Sequence, residues 1–106
     1  MKKSLFILVI LAFSSPALAG SLEKAASLLS QEELVRDEAQ YALEANGDRV
    51  AACHLYRQAY QLGSDAYTEY PSEKTSTIQY KSIPQLREHC ADLYPEFQKN
   101  YPMPNR

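Results

Sequence analysis

Four residues in this chain combine reactive side chains with a mirrored arrangement: Cys53-His54 and His89-Cys90. Thiolate and imidazole are the usual ligands of zinc and of softer transition metals. Taken together, the two pairs would make the chain a metal or haem carrier, with His54 and His89 as imidazole ligands. The spacing works against that chemistry. Neighbours on a helix point about 100° apart, so an adjacent Cys and His do not easily share one tetrahedral ion. Cys53 and Cys90 are also the only cysteines. In an exported protein two lone cysteines most often pair, so a Cys53–Cys90 disulfide is the expectation. Closing a loop of about 38 residues stabilises a fold by roughly 4 kcal/mol, through entropy removed from the unfolded chain. No Cys-x-x-Cys occurs, which leaves thiol–disulfide exchange and c-type haem attachment without their usual signatures.

Carboxylates gather at Glu32, Glu33, Asp37 and Glu38, and again at Glu88 and Asp92. Helical runs of this kind read as solvated faces. Glu88 and Asp92 stand four apart and could flank a ligand, but nothing marks them as a general acid and base. No Ser or Cys nucleophile has a recognisable partner, and no glycine-rich phosphate loop is present. The chain is therefore not expected to be an enzyme or to carry a cofactor. Tyrosine is the most suggestive component. Tyr41, Tyr56 and Tyr60 are expected in the core, whereas Tyr67, Tyr70, Tyr80 and Tyr94 fall near loops or helix ends. Tyr offers apolar area with a polar tip and is enriched at interfaces, so these four form a candidate partner surface. The competing reading is that a core without Trp uses Tyr as filler.

The elements that must position these residues are helical. Residues 22–29 form a short amphipathic segment with Leu22, Ala25, Ala26 and Leu29 on one face. Ser30-Gln31-Glu32-Glu33 has the form of a capping box, with Leu29 and Leu34 placed as a hydrophobic staple. A new helix is expected over 31–45, either separate or fused to the first with a bend. Its apolar face is Leu34, Val35, Ala39, Ala42 and Ala45. Asn46-Gly47 stops it, and Asp48 caps a central helix over 49–62 that Gly63 ends. A short helix over 66–70 follows, closed by Pro71. Residues 71–82 read as an extended loop. Pro84 suits the first turn of a last helix, on which Leu86, Cys90, Leu93 and Phe97 share a buried stripe. Pro95 must kink that helix or restart it. The expected fold is all-α: a small bundle of about four helices with an antiparallel hairpin, stapled by one disulfide. Residues 101–106 are expected to be a mobile tail.

The first 19 residues read as a signal for export. Lys2 and Lys3 precede an apolar run over 5–13, and Ala17-Leu18-Ala19 supplies small residues for cleavage after Ala19. The run is too short for a stable membrane anchor, which needs about 20 residues. Cleavage leaves residues 20–106 as one small domain with nine basic and thirteen acidic side chains, a formal charge of −4. That balance argues against nucleic acid or an anionic membrane as partner and permits a basic protein. The short, lysine-led leader points to the periplasm or to secretion.

Gly47 and Asp48 in a turn, then Ala52, Tyr56, Ala59, Gly63 and Ala66, resemble the second helix of a tetratricopeptide or Sel1-type repeat. Small residues at 52 and 59 would admit a close partner helix, with Tyr56 in the groove between them. The helix before it departs from the pattern at Arg36 and Gln40, so the resemblance covers about one repeat. It implies a helical hairpin and protein binding, and no enzyme activity. Size, export, acidity and the staple together suggest an immunity or inhibitor protein acting on a toxin or hydrolase of the cell envelope. A small acid-stress chaperone and a metal or haem carrier are the alternatives.

Overall fold

A computed structural model describes residues 16–98, with side chains from residue 21 onward. The expected leader falls mostly outside the described residues, and the expected tail at 101–106 falls wholly outside them. Among the described residues the structure is helical and contains no strand. Two long helices, α1 (Pro16–Glu44) and α2 (Arg49–Glu69), form an antiparallel hairpin. Two seven-residue helices, α3 (Glu73–Gln79) and α4 (Ile83–His89), and a 3-10 turn (Pro95–Gln98) pack back along it. The hairpin and the staple agree with expectation. The count of about four is only slightly off, since two helices are long, two are just seven residues and a 3-10 turn follows, and several boundaries move.

The turn between α1 and α2 follows from local chemistry. Gly47 adopts φ 63°, the left-handed conformation that glycine takes without steric cost. The Asp48 carboxylate accepts a hydrogen bond from the Ala51 amide at 3.2 Å and starts α2. The seam that holds the hairpin is a 3-4 repeat on both helices. On α1 it runs Ala25, Leu28, Glu32, Val35, Ala39, Ala42; on α2 it runs Ala52, Tyr56, Ala59, Gly63, Ala66, Tyr70. This alternation keeps one face of each helix toward its neighbour. The preponderance of alanine lets the two backbones approach closely.

Of the two forms open for α1 the fused one is found, and the seam corrects three further expectations. Ser30 does not break the helix, which is continuous from Pro16 to Glu44. Leu34 and Tyr41 are not core residues: they stand 66% and 65% exposed, because the seam places them on the outer side. Glu32, expected in solvent, is 1% exposed, because it occupies a seam position. The solvated-face reading holds instead for Glu33, Asp37 and Glu38, which are exposed.

Gly63 does not end α2 but lies inside it, fully covered. A Cβ built there would stand 3.0 Å from Gln79 Cα and 3.3 Å from the Ile78 carbonyl oxygen. The residue is glycine because the end of α3 crosses α2 at that point. The separate helix expected over 66–70 is thus the last part of α2.

The segment 71–82 is not an extended loop, since most of it is α3. Ser72 Oγ accepts from the Thr75 amide, while Thr75 Oγ1 accepts from the Ser72 amide at 2.9 Å, a reciprocal cap. Pro84 lies in the first turn of α4, as expected. This helix stops at Cys90, and Pro95 opens the 3-10 turn. Leu93, expected on a buried stripe, is therefore 39% exposed, since the chain has left the helix before it. Cys53 and Cys90 are bonded, with Cα atoms 5.8 Å apart and both side chains fully buried. Around them pack Ala52, Tyr56, Ile83, Leu86 and Phe97.

Candidate functional site

Two hollows on opposite stretches of the hairpin hold some of the side chains singled out in the sequence: Glu32, Glu33 and Tyr70 line one, His54 and Tyr94 the other. The first is a groove of about 400 Å³ between the N-terminal half of α1 and α3. Leu22, Ala25, Ala26 and Leu29 form one wall; Ile78, Tyr70 and Lys74 form the other. Glu32 and Arg36 line it where the two walls approach.

The groove exists because α3 folds. Thr75 is buried and donates its hydroxyl to the Tyr70 carbonyl at 2.9 Å, which fixes the chain as it leaves α2. Gly63 then lets α3 lie close enough to form a wall. Within the groove, Arg36 Nε donates to Glu32 Oε2 at 2.7 Å and Nη2 donates to Oε1 at 3.0 Å. Two parallel charge-assisted bonds of this kind are the strong form of an ion pair. Hydrogen bonding to Glu32 is the largest influence on the Arg36 guanidinium, and it raises the pKa against the opposing effect of burial. The arginine is thus a fixed cation on a helix face that is otherwise apolar. Arg36 also reaches a second, polar cleft beside Gln40, Glu44, Tyr56, Lys81 and Gln85. There Tyr56 has its phenol pKa raised, first by burial and then by the Glu44 charge.

A groove with apolar walls and a few convergent polar groups is the usual form of a binding site. It can receive one or two apolar side chains and offers fixed charge at its base.

The other hollow lies at the stapled end. It is lined by Asp48, Val50, Ala51, His54, Leu55, Leu93 and Tyr94. Here the chain after α4 is tied to α2 by the disulfide and by Arg49, which donates to both Asp92 carboxylate oxygens at 2.9 and 3.0 Å and to the His89 carbonyl at 2.9 Å. The Asp92 carboxyl is held below the usual carboxylate range, chiefly by its hydrogen bond from Arg49.

The candidate partner tyrosines do not converge. Tyr70 lines the groove, and Tyr67, 37% exposed, precedes it on the last turn of α2. Tyr80 follows α3 and packs partly against the core. Tyr94 is about 20 Å away along α2, by the rise from Arg57 to Tyr70. Its ring lies under the Arg57 guanidinium at 5.2 Å and edge-on to Phe97 at 6.5 Å. Of the metal-ligand candidates, His54 is exposed in the stapled-end hollow and His89 is half-buried beside Glu88. Their neighbouring cysteines are spent on the disulfide and supply no thiolate. Among the described residues no group of three or more His, Cys, Asp or Glu side chains could hold a metal ion, and no helix is long and apolar enough to cross a membrane.

Sequence reasoning missed Glu32, Arg36, Thr75 and Ile78 as site residues. The 3-4 spacing of Ala25, Leu28, Val35, Ala39 and Ala42 around Glu32 was the signal that would have placed it inside. No family model, curated protein or solved structure matches this chain.

Proposed function

We propose that this chain is an exported helical domain that works by binding another protein, and that the groove between α1 and α3 receives a segment of that partner. The observation that carries the reading is the groove itself: apolar walls from two separate helices over a charge pair fixed in place. Such a trough suits one or two side chains projecting from a folded partner. Its volume lies at the small end for a site that encloses a free ligand. Export is supported by the leader over residues 1–19, and a disulfide suits an oxidising compartment. Within the binding class, an immunity or inhibitor protein that neutralises a periplasmic or secreted toxin or hydrolase fits the small size and the stapled fold.

The test uses the full chain, tagged at its C-terminus and recovered from the periplasmic or secreted fraction of producing cells. Ala26→Trp on one wall and Lys74→Trp on the other fill the groove from exposed positions. A partner held by the parent chain and lost from both variants, at unchanged melting temperature, supports the reading. A partner held equally by all three overturns it.

A further inference from the structure

The charge of this protein is not spread evenly. Residues 20–44 hold six acidic and two basic side chains, while residues 45–106 hold seven of each. After loss of the leader, the whole net charge of −4 therefore sits on α1. Its single arginine, Arg36, is already committed to Glu32, and its single lysine, Lys24, lies 3.8 Å from Glu69.

The carboxylates outside these two pairs share a face with exposed apolar groups. At 3.6 residues per turn, Glu23, Leu34, Asp37, Glu38 and Tyr41 fall within about 100° of one another around α1. All five are exposed. Among the described residues none of the three carboxylates, nor the neighbouring Glu33, has a salt-bridge or side-chain hydrogen-bond partner. Leu34 and Tyr41, two helical turns apart, are also the most exposed large apolar side chains among the described residues. A face meant only for solvent has no use for a Leu and a Tyr at that spacing. A face meant for another apolar helix would not surround them with four negative charges. Glu33, which lines the groove, stands between the groove and this ridge, so the two surfaces are continuous.

We infer that the outer face of α1 docks a cationic amphipathic helix of a partner protein: its large apolar side chains pack on Leu34 and Tyr41, and its Lys or Arg side chains oppose Glu33, Asp37 and Glu38. Charge complementarity selects this occupant. Nucleic acid and an anionic bilayer are repelled by the same face, and a second copy would bring like charge against like. The inference deepens the proposed binding function, on which it rests, by giving the partner's chemistry.

The probes are two synthetic helical peptides of about 18 residues, or five turns. One is amphipathic in Leu and Lys; the other replaces every Lys with Glu. Binding to the full chain is read by fluorescence anisotropy. The Lys peptide is expected to bind and the Glu peptide not to bind, with affinity falling as salt rises from about 50 to 300 mM because the Debye length shrinks. Reversing Glu33, Asp37 and Glu38 to Lys is expected to weaken the Lys peptide by about tenfold or more, at the strength of three exposed ion pairs. Leu34→Ser with Tyr41→Ser is expected to weaken it as well, at unchanged helicity. The same number of reversals at Asp65, Glu73 and Glu88 is the control. If the control weakens binding as much, or the serine pair changes nothing, or both peptides bind alike, the inference is overturned. Failure of the groove reading looks different: there Ala26→Trp leaves the partner bound while the α1 reversals release it. A partner released by Ala26→Trp and indifferent to the reversals spares the groove and overturns the ridge.

Discussion

Glu32 and Arg36, one turn apart on α1, are joined by two hydrogen bonds on a helix face that otherwise carries alanine, leucine and valine. The carboxylate is sealed from solvent and the guanidinium is 27% exposed. Removing only the arginine leaves a buried charge without its partner. Arg36→Met is expected to cost about 2–3 kcal/mol, below the range for fully buried pairs because part of the site is wet. Adding Glu32→Leu to the same chain is expected to restore most of that loss, since neither charge then remains. Urea denaturation of the two variants and the parent checks both statements.

Gly63 is held by a neighbour rather than by its own backbone. Its added methyl would meet the backbone of α3, which cannot rotate away as a side chain would. Gly63→Ala is therefore expected to destabilise by about 1–2 kcal/mol, overpacking outweighing the gain of about 1 kcal/mol in helix propensity. A fall in Tm on the order of 5–10 °C is the readout for a domain of this size.

The disulfide joins residues 37 apart in sequence. Replacing both cysteines with Ala, or adding reductant, is expected to lower stability by up to about 4 kcal/mol. The loss should leave the α1–α2 hairpin helical by circular dichroism, because the alanine seam does not involve either sulfur. Arg87, which donates to the Phe97 carbonyl, and Gln98, which donates to the Arg87 carbonyl, should then loosen together with α4. Hydrogen exchange over 83–98 measures that.

Asp92 gives a pH dependence with a definite sign. Its folded carboxyl is held below the ordinary value by Arg49, so its pairing contributes stability at neutral pH. The contribution is whole above about pH 4, the unfolded value, and is lost as pH falls through the folded value. Asp92→Asn should melt lower than the parent at pH 7, and the gap should narrow below about pH 4. A gap of constant size down to pH 2 would show that the pair contributes nothing.

What could be read from residues alone was whatever local chemistry decides. Asn46-Gly47-Asp48 needs only a left-handed glycine and a short acidic cap, and Pro84 needs only a missing amide. The pairing of Cys53 with Cys90 followed from their being alone. The misread positions are those where a distant element decides. Gly63 looks like a helix stop until α3 is laid across it. Ser72 and Thr75 cap α3 with two short hydroxyls, without the Glu or Gln that usually completes such a box. Glu32 looks like surface unless Arg36 is seen to neutralise it within the seam. Leu34 and Tyr41 look like core by type, and only the rotation of α1 turns them outward. The groove was invisible because one of its walls had been read as a loop.

Site-specific photocrosslinking tests the binding account most directly. A benzoylphenylalanine in place of Tyr70, an aromatic side chain that already lines the groove, should give one discrete adduct when producing cells are irradiated. The same group at Gln58, exposed on the far side of α2, should give none. No adduct from position 70, or the same adducts from both positions, would contradict a partner seated between α1 and α3.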